Sequence, residues 1–146
     1  MTFFFDRNIG IGIPKALREL KRLPFVVAYH QEHFGREELY DDAWLSQVGD
    51  WGWFVVAQDY HFHARPVELD AIRQHNVGCF YLWGAEAPQW DIFRCFARAY
   101  EKIVTIANTQ SRPFIYLIHH SGTVSQLPMT IRRIPFRRSP RRLPSP

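Results

Sequence analysis

The sequence is poor in cysteine and has no long apolar segment, and each shortage excludes a class of protein. Cys79 and Cys95 stand in apolar stretches, without the close cysteine or histidine partner that a metal or redox motif requires. They predict buried thiols in a reducing compartment and exclude a disulfide-rich secreted domain. No apolar run approaches the roughly 20 residues that cross a bilayer. No basic region precedes the first apolar stretch, so we expect no signal peptide and a cytoplasmic protein.

Hydrophobic residues are abundant, whereas charge is unevenly distributed. They make up 47% of the 146 residues, enough to bury the core of one domain without disulfides. The last 17 residues hold six arginines and no acid, so they carry +6; because the whole chain carries +4, the rest carries −2. We predict a domain at residues 1–128 and a disordered, proline-rich basic tail at residues 129–146. Such a tail either neutralises nucleic-acid phosphates or serves only solubility.

Apolar runs alternate with helical patterns along the predicted domain. Runs of β-branched and aromatic residues predict strands at residues 2–5, 24–30, 51–58 and 77–84. Helical spacing of apolar residues predicts helices at residues 14–22, 41–49, 66–76 and 88–109. Residues 113–127 predict a hairpin that turns at Ser121 and Gly122. Four alternations of strand and helix are typical of βαβ units, so we predict an α/β fold with a mostly parallel central sheet and helices on both faces.

Acidic residues follow two of the predicted strands. Asp6 ends the run "TFFF", and Asp59 ends "WGWFVVAQ". Ligands of open parallel sheets bind outside the carboxyl ends of the strands, so these two carboxylates are expected on one edge. Asp41 and Asp42 open the helix that leads into the third strand, which by periodicity alone places them on the opposite edge unless the preceding loop carries them round. Alternatively, each aspartate is a helix cap or turn former, with Asp6 neutralised by Arg7 or bonded to the amides that follow it.

Several short motifs occur in a distinctive order along the chain. They are Asp6-Arg7-Asn8 after the first strand, Asp41-Asp42-Ala43-Trp44-Leu45 at a helix start, Asp59 after a Gly-Trp strand, and Pro66-Val67-Glu68. The segments "GCFYLWG", "ARAYEKIVTIA" and "RPFIYLI" follow. Together these motifs resemble the PIN-like domains, the three-layer nuclease fold shared with VapC-type toxins, over residues 2–127.

The resemblance implies metal-dependent hydrolysis of phosphodiester bonds. In the family an acidic cluster holds Mg²⁺ or Mn²⁺, hard cations that prefer oxygen ligands. Carried over to this chain, the ligands and catalytic acids are Asp6, Asp41 and Asp59. The fourth metal ligand is Glu68 by its motif, with Asp42, Glu37 and Glu38 as alternatives. Expected substrate contacts are Arg7, Asn8, His61 and Arg65.

Two functions therefore compete. The first is an endoribonuclease that cuts RNA as the toxin of a toxin–antitoxin pair, inhibited by a cognate antitoxin protein. The second is a non-catalytic PIN-like protein that binds nucleic acid through its basic tail. A zinc site at His61 and His63 is an alternative that lacks further converging ligands. The apolar stripe of the long helix either forms a homodimer interface or packs on its own sheet; its residues are Trp90, Phe93, Phe96 and Tyr100.

Overall fold

The computed structural model describes residues 1–35, 41–58 and 66–129 of the chain. These residues form six strands and five helices, with a 3-10 turn at Arg7–Ile9 after the first strand. The elements are β1 Thr2–Phe5, α1 Gly12–Arg18, β2 Val26–Tyr29, α2 His30–Phe34, α3 Asp41–Asp50, β3 Phe54–Ala57, α4 Pro66–Gln74, β4 Gly78–Leu82, α5 Gln89–Thr109, β5 Phe114–Ile118 and β6 Val124–Leu127.

The strands form one sheet in the order β2-β1-β3-β4-β5-β6. The first five are parallel, and β6 pairs antiparallel with β5 as the predicted hairpin. The predicted α/β fold with a mostly parallel sheet is confirmed. The chain order reverses at β1, which has β2 on one side and β3 on the other. In such sheets the ligand crevice lies outside the carboxyl ends of the strands at this reversal point.

The three consecutive phenylalanines of β1 are buried because helices cover both faces of the strand. Phe3 and Phe5 belong to the core on the side of α1 and α5, whereas Phe4 belongs to the core on the side of α3 and α4. All three side chains are fully buried. A strand covered on both faces needs a continuous apolar run rather than an alternating one, which accounts for the composition of β1.

The longest helix, α5, packs on the face opposite α4, although both helices join neighbouring strands in the same direction across the sheet. The two crossovers therefore have opposite hands, which is unusual. The apolar stripe of α5 mostly faces its own sheet: Phe96 is buried there, Phe93 and Tyr100 are partly buried, and Trp90 is exposed. None of the helices in the described ranges has the length and hydropathy of a membrane span.

Three details differ from the sequence predictions. Helix α1 ends at Arg18 rather than at residue 22, where Arg22 adopts a positive φ of 59°. The short helix α2 was not predicted. Helix α3, predicted to end at residue 49, continues to Asp50, so Gly49 lies inside it. A Cβ at Gly49 would lie 2.5 Å from the carbonyl oxygen of His75, so this glycine permits a close approach to the end of α4.

Candidate active site

Asp6 lies directly after the carboxyl end of β1, at the reversal point of the sheet. Its main-chain N–H donates to the Val56 carbonyl at 2.9 Å, which extends the pairing of β1 with β3 by one residue. Its Oδ1 accepts the Arg7 N–H at 2.7 Å and caps the 3-10 turn. The side chain is nearly buried, with 8% of the residue exposed. The main-chain amide of Arg7 is thus the observed donor, as one of the sequence alternatives expected, and this bond orients the carboxylate.

His30 is a neighbour of Asp6 that the sequence analysis missed. It is the first residue of α2, and its Nδ1 lies 3.9 Å from Oδ1 of Asp6. The register of β1 with β2 pairs Phe5 with Tyr29, so the residues that follow each strand are neighbours at the same edge. The imidazole is buried against the rings of Phe34 and Trp44, at centroid distances of 5.2 and 5.8 Å. The signal was present in the sequence only as a histidine at a strand end.

Glu68 is a second buried carboxylate on this edge. It lies in the first turn of α4, the helix that follows the carboxyl end of β3, and only 6% of the residue is exposed. Its neighbours in the helix, Leu69 and Ile72, pack into the core below it. Carboxylates are seldom buried to this extent unless another group compensates their charge. The position in the first helical turn supplies part of that compensation through the helix dipole.

The start of α3 also lies on this edge, contrary to the expectation from periodicity. Trp44, one turn after Asp41, stacks on Phe4 at 5.5 Å and contacts the ring of His30. The helix then runs back towards the amino end of β3, which begins at Phe54. Periodicity alone favours the opposite edge for Asp41, but a helix that leads into a strand of a parallel sheet runs antiparallel to that strand and starts near the carboxyl edge, where the resemblance also puts Asp41. The backbone of Asp41 is therefore near the edge that holds Asp6.

Several predicted site residues lie outside the part of the chain that can be described. These are Glu37, Glu38, Asp59, His61, His63 and Arg65, together with the tail from residue 130 and the side chains of Asp41 and Asp42. Arg7 and Asn8 are exposed on the turn after β1. Gln58, the residue before Asp59, is buried and donates through Nε2 to the Gly84 carbonyl at 2.6 Å.

The donor chemistry of this edge suits a hard cation better than a soft one. Asp6 and Glu68 supply carboxylate oxygens, which Mg²⁺ and Mn²⁺ prefer. Among the residues described, no three histidine, cysteine, aspartate or glutamate side chains are grouped so as to hold a metal ion. The two described carboxylates are therefore a partial donor set, which the acids at positions 41 and 59 would have to complete.

Thiol chemistry is disfavoured at this edge. Cys79 lies in β4 and is fully buried. Burial, and then the negative charge of Asp6, raise the pKa of the Cys79 thiol far above its ordinary value. Since the thiolate is the reactive form of cysteine, Cys79 is inert at neutral pH.

The comparisons with known proteins agree with this fold. A family model described as PIN like domain matches residues 1–84, which is more than half of the chain. The matched segment runs from β1 to the residues just after β4, and it contains all four candidate acids: Asp6, Asp41, Asp59 and Glu68. Neither the curated proteins nor the solved structures give a match to the chain.

Proposed function

Because the chain belongs to the PIN-like domain family, a nuclease-type fold, we propose that it is a metal-dependent endoribonuclease that hydrolyses phosphodiester bonds in RNA. The observation that carries the proposal is the buried carboxylate of Asp6 at the reversal point of the sheet, with buried Glu68 on the same edge. Carboxylate oxygens at the crevice of an α/β sheet lie where such sheets bind their ligands, and they are the donors that Mg²⁺ and Mn²⁺ prefer.

The residues that would hold Mg²⁺ or Mn²⁺ are Asp6, Glu68, Asp41 and Asp59. A bound divalent cation would polarise the scissile phosphate and lower the pKa of a coordinated water. The chain itself contributes fixed positions for the oxygen donors. Asp6 is held by the Arg7 amide and by the end of a central strand, and Glu68 by the first turn of a packed helix. Rigid elements hold a site more precisely than loops do.

An RNA substrate fits the distribution of positive charge. The six arginines of residues 130–146 can neutralise phosphates, which supplies affinity without sequence preference. Arg7 and Asn8 are exposed on the turn that carries Asp6 and are suited to contact the phosphate beside the cleaved bond. His61 and Arg65, which follow Asp59 in the sequence, are proposed as further contacts.

The biological role proposed is that of a cytoplasmic toxin in a toxin–antitoxin pair. The support is the resemblance of the chain to VapC-type toxins, together with an edge of the sheet that a partner protein can cover. This acidic edge holds Asp6 and Glu68. A cognate antitoxin would then inhibit the enzyme by occluding Asp6 and the start of α3. A homodimer through the exposed part of α5, around Trp90, is the proposed oligomeric state.

The proposal is tested by Mn²⁺ binding, measured by calorimetry on the wild type, Asp6→Asn and Glu68→Gln. Asp70→Asn is the matched control, because Asp70 lies two residues from Glu68 on the same helix but is exposed. We expect Mn²⁺ to bind the wild type and the control, and binding to be lost or strongly weakened in the two site variants. Cleavage of single-stranded RNA should follow the same order.

A wild type that binds no Mn²⁺ and cuts no RNA would contradict the proposal. If that protein still bound RNA, the second function would apply: a PIN-like protein that holds nucleic acid through its arginine-rich tail without cutting it. The six arginines of that tail are the observation that favours this second function.

A further inference from the structure

A cleft lies beside the acidic edge, where β3, β4 and β5 end. Its volume is about 380 Å³, at the lower end of the range for small-ligand sites. Gln58, which directly follows β3, forms one side; Trp83 and His119, which follow β4 and β5, form the other. Since β3 is the neighbour of β1, the near side of this cleft is one strand away from Asp6. The acidic edge and the cleft are thus adjacent parts of one sheet edge.

Trp83 presents a large aromatic ring at this cleft. The residue is 41% exposed, although its main chain is fixed by a 2.9 Å hydrogen bond from its N–H to the Ile118 carbonyl. Its ring meets the ring of His120 edge to face, at a centroid distance of 4.4 Å. His120 lies at the turn between β5 and β6, so the indole packs against the hairpin. The exposed part of the indole is a surface on which a base can stack.

The polar groups of the cleft are an amide and an imidazole, and hydrogen bonds orient both. Gln58 is buried and fixed through its bond to Gly84, and His119 is fixed through a 2.7 Å bond between Nε2 and the Oγ of Ser125. The side chains that line the cleft in the described ranges include no carboxylate, lysine or arginine. A phosphate would find no lysine or arginine among these described lining residues, whereas a flat, hydrogen-bonding ring would match both the indole and the amide.

We infer that this cleft is a nucleobase subsite, in which a base of the RNA substrate stacks on Trp83 while the neighbouring phosphate lies over the acidic edge. The inference rests on the proposed function for the identity of the polymer, and it adds the group that holds the substrate next to the cleaved bond. Stacking on an aromatic ring tolerates every base, so the subsite predicts weak base preference at one fixed nucleotide position.

The first experiment measures binding of a short single-stranded RNA in EDTA, by fluorescence anisotropy, so that cleavage does not interfere. We expect Trp83→Ala to weaken binding about ten-fold, which is typical for the loss of one stacked base, and Trp83→Phe to weaken it less. The control is Trp51→Ala. Trp51 is 43% exposed and packs at 4.6 Å on another ring, but it lies just before β3, at the opposite end of the strands.

An abasic scan makes the test specific. A single abasic nucleotide is moved along the RNA, and the effect of Trp83→Ala is measured for each position. If a base stacks on Trp83, we expect the variant and the wild type to have equal RNA affinity when that one position is abasic. Their affinities should differ when any other position is abasic. Circular dichroism checks that each variant is folded. If folded Trp83→Ala and Trp83→Phe bind every RNA as the wild type does, the subsite is overturned while the proposed nuclease stands.

A separate measurement distinguishes failure of the subsite from failure of the proposed function. Free adenosine and uridine are titrated into the protein, and quenching of tryptophan fluorescence is compared for wild type, Trp83→Phe and Trp51→Phe. Quenching that disappears only with Trp83 supports the base site even if RNA is neither bound nor cut, in which case the nuclease proposal fails alone. If quenching is absent, or is as strong in Trp83→Phe as in the wild type, and if the Trp83 variants also bind RNA as the wild type does, the subsite is ruled out.

Discussion

Nδ1 of His30 lies 3.9 Å from Oδ1 of Asp6, at the ends of two neighbouring parallel strands. The distance exceeds that of a hydrogen bond, yet both side chains are buried, so the imidazole is part of the wall against which the carboxylate rests. Packing in three dimensions, rather than closeness in sequence, brings the two residues together.

Replacement of His30 should separate its packing role from its polar role. His30→Ala leaves a cavity among Phe4, Phe34 and Trp44, and we expect it to lower the free energy of unfolding by about 2–4 kcal/mol. His30→Phe keeps the ring volume and should cost less than about 1.5 kcal/mol. Urea denaturation measures both. We further expect Mn²⁺ affinity to fall about ten-fold or more in both variants, as when a residue that supports a metal ligand is removed. An unchanged affinity in His30→Phe would show that the ring serves only to fill space.

Two replacements of Asp6 should differ in stability but not in metal binding. Asp6→Asn keeps an oxygen that can accept the Arg7 amide, so the cap of the 3-10 turn survives. Asp6→Ala loses that cap and should be less stable than Asp6→Asn by about 1 kcal/mol. Neither variant should bind Mn²⁺ as the wild type does. Thermal unfolding and calorimetry check the two statements, and Mn²⁺ binding by Asp6→Asn at wild-type strength would remove Asp6 from the metal site.

The ion pair of Arg18 and Glu32 should contribute stability only above acidic pH. Arg18 donates two hydrogen bonds to the carboxylate, at 2.9 and 2.6 Å, which lowers the pKa of Glu32 below its ordinary value of 4.5. A lowered pKa in the folded state means that the stabilisation is fully present above the ordinary pKa of the carboxyl. It is lost as the pH falls through the lowered pKa. Both side chains are more than a third exposed, so the contribution is about 1 kcal/mol or less. Glu32→Gln should therefore be less stable than the wild type at neutral pH, and the difference should shrink in acid.

Gly49→Ala should destabilise the protein even though alanine is the better helix former. The helix preference alone would favour alanine by about 1 kcal/mol. A Cβ at this position would meet the His75 carbonyl oxygen at 2.5 Å, and main-chain atoms move less readily than side chains. We expect a net loss of about 1–3 kcal/mol in the free energy of unfolding, measured in urea. The matched control is Gln47→Ala, an exposed position of the same helix, which should change stability little.

Removal of residues 130–146 should weaken RNA binding and reduce its dependence on salt. Each phosphate neutralised on a single strand contributes about −0.7 to the slope of log K against log salt concentration. The six arginines of the tail can therefore account for a slope change of up to about 4. The truncation keeps Met129, which packs against the core. A tail with glutamine at the six positions is the control for length, and equal slopes in all three proteins would show that the tail does not contact RNA.

The sequence sufficed for the order of strands and helices because apolar runs and helical spacing are strong in this chain. It also located Asp6, since a charged residue that ends a fully buried strand must lie at the sheet edge. It failed at α2, because five residues with a mixed pattern show no helical period, and His30 was consequently assigned to the strand before it. Periodicity alone left the start of α3 on the opposite edge, because the direction of a helix follows from the strands that it connects and not from its apolar spacing.

The cleft at Trp83 could not have been predicted from sequence. Its walls come from the ends of three strands, and His120, whose ring contacts the indole of Trp83, is 37 residues away from it along the chain. Gly49 shows the same limit: a glycine in a helix suggests a stop, whereas its actual reason is a carbonyl oxygen that belongs to another helix. Such properties depend on tertiary contacts, which a linear pattern does not contain.

The position of β1 between β2 and β3 also has a consequence for how the protein folds. One of its pairing partners, β3, begins at Phe54, about 50 residues after Phe3. Pairing over such a separation is slow, because a long loop must close before any contact stabilises it. Until β3 has been synthesised and has paired with β1, the three adjacent phenylalanines lack some of their native contacts. Exposed apolar segments of this kind associate between chains. Strand β1 is therefore completed late, and the carboxylate at its end reaches its final surroundings only when β3 is in place.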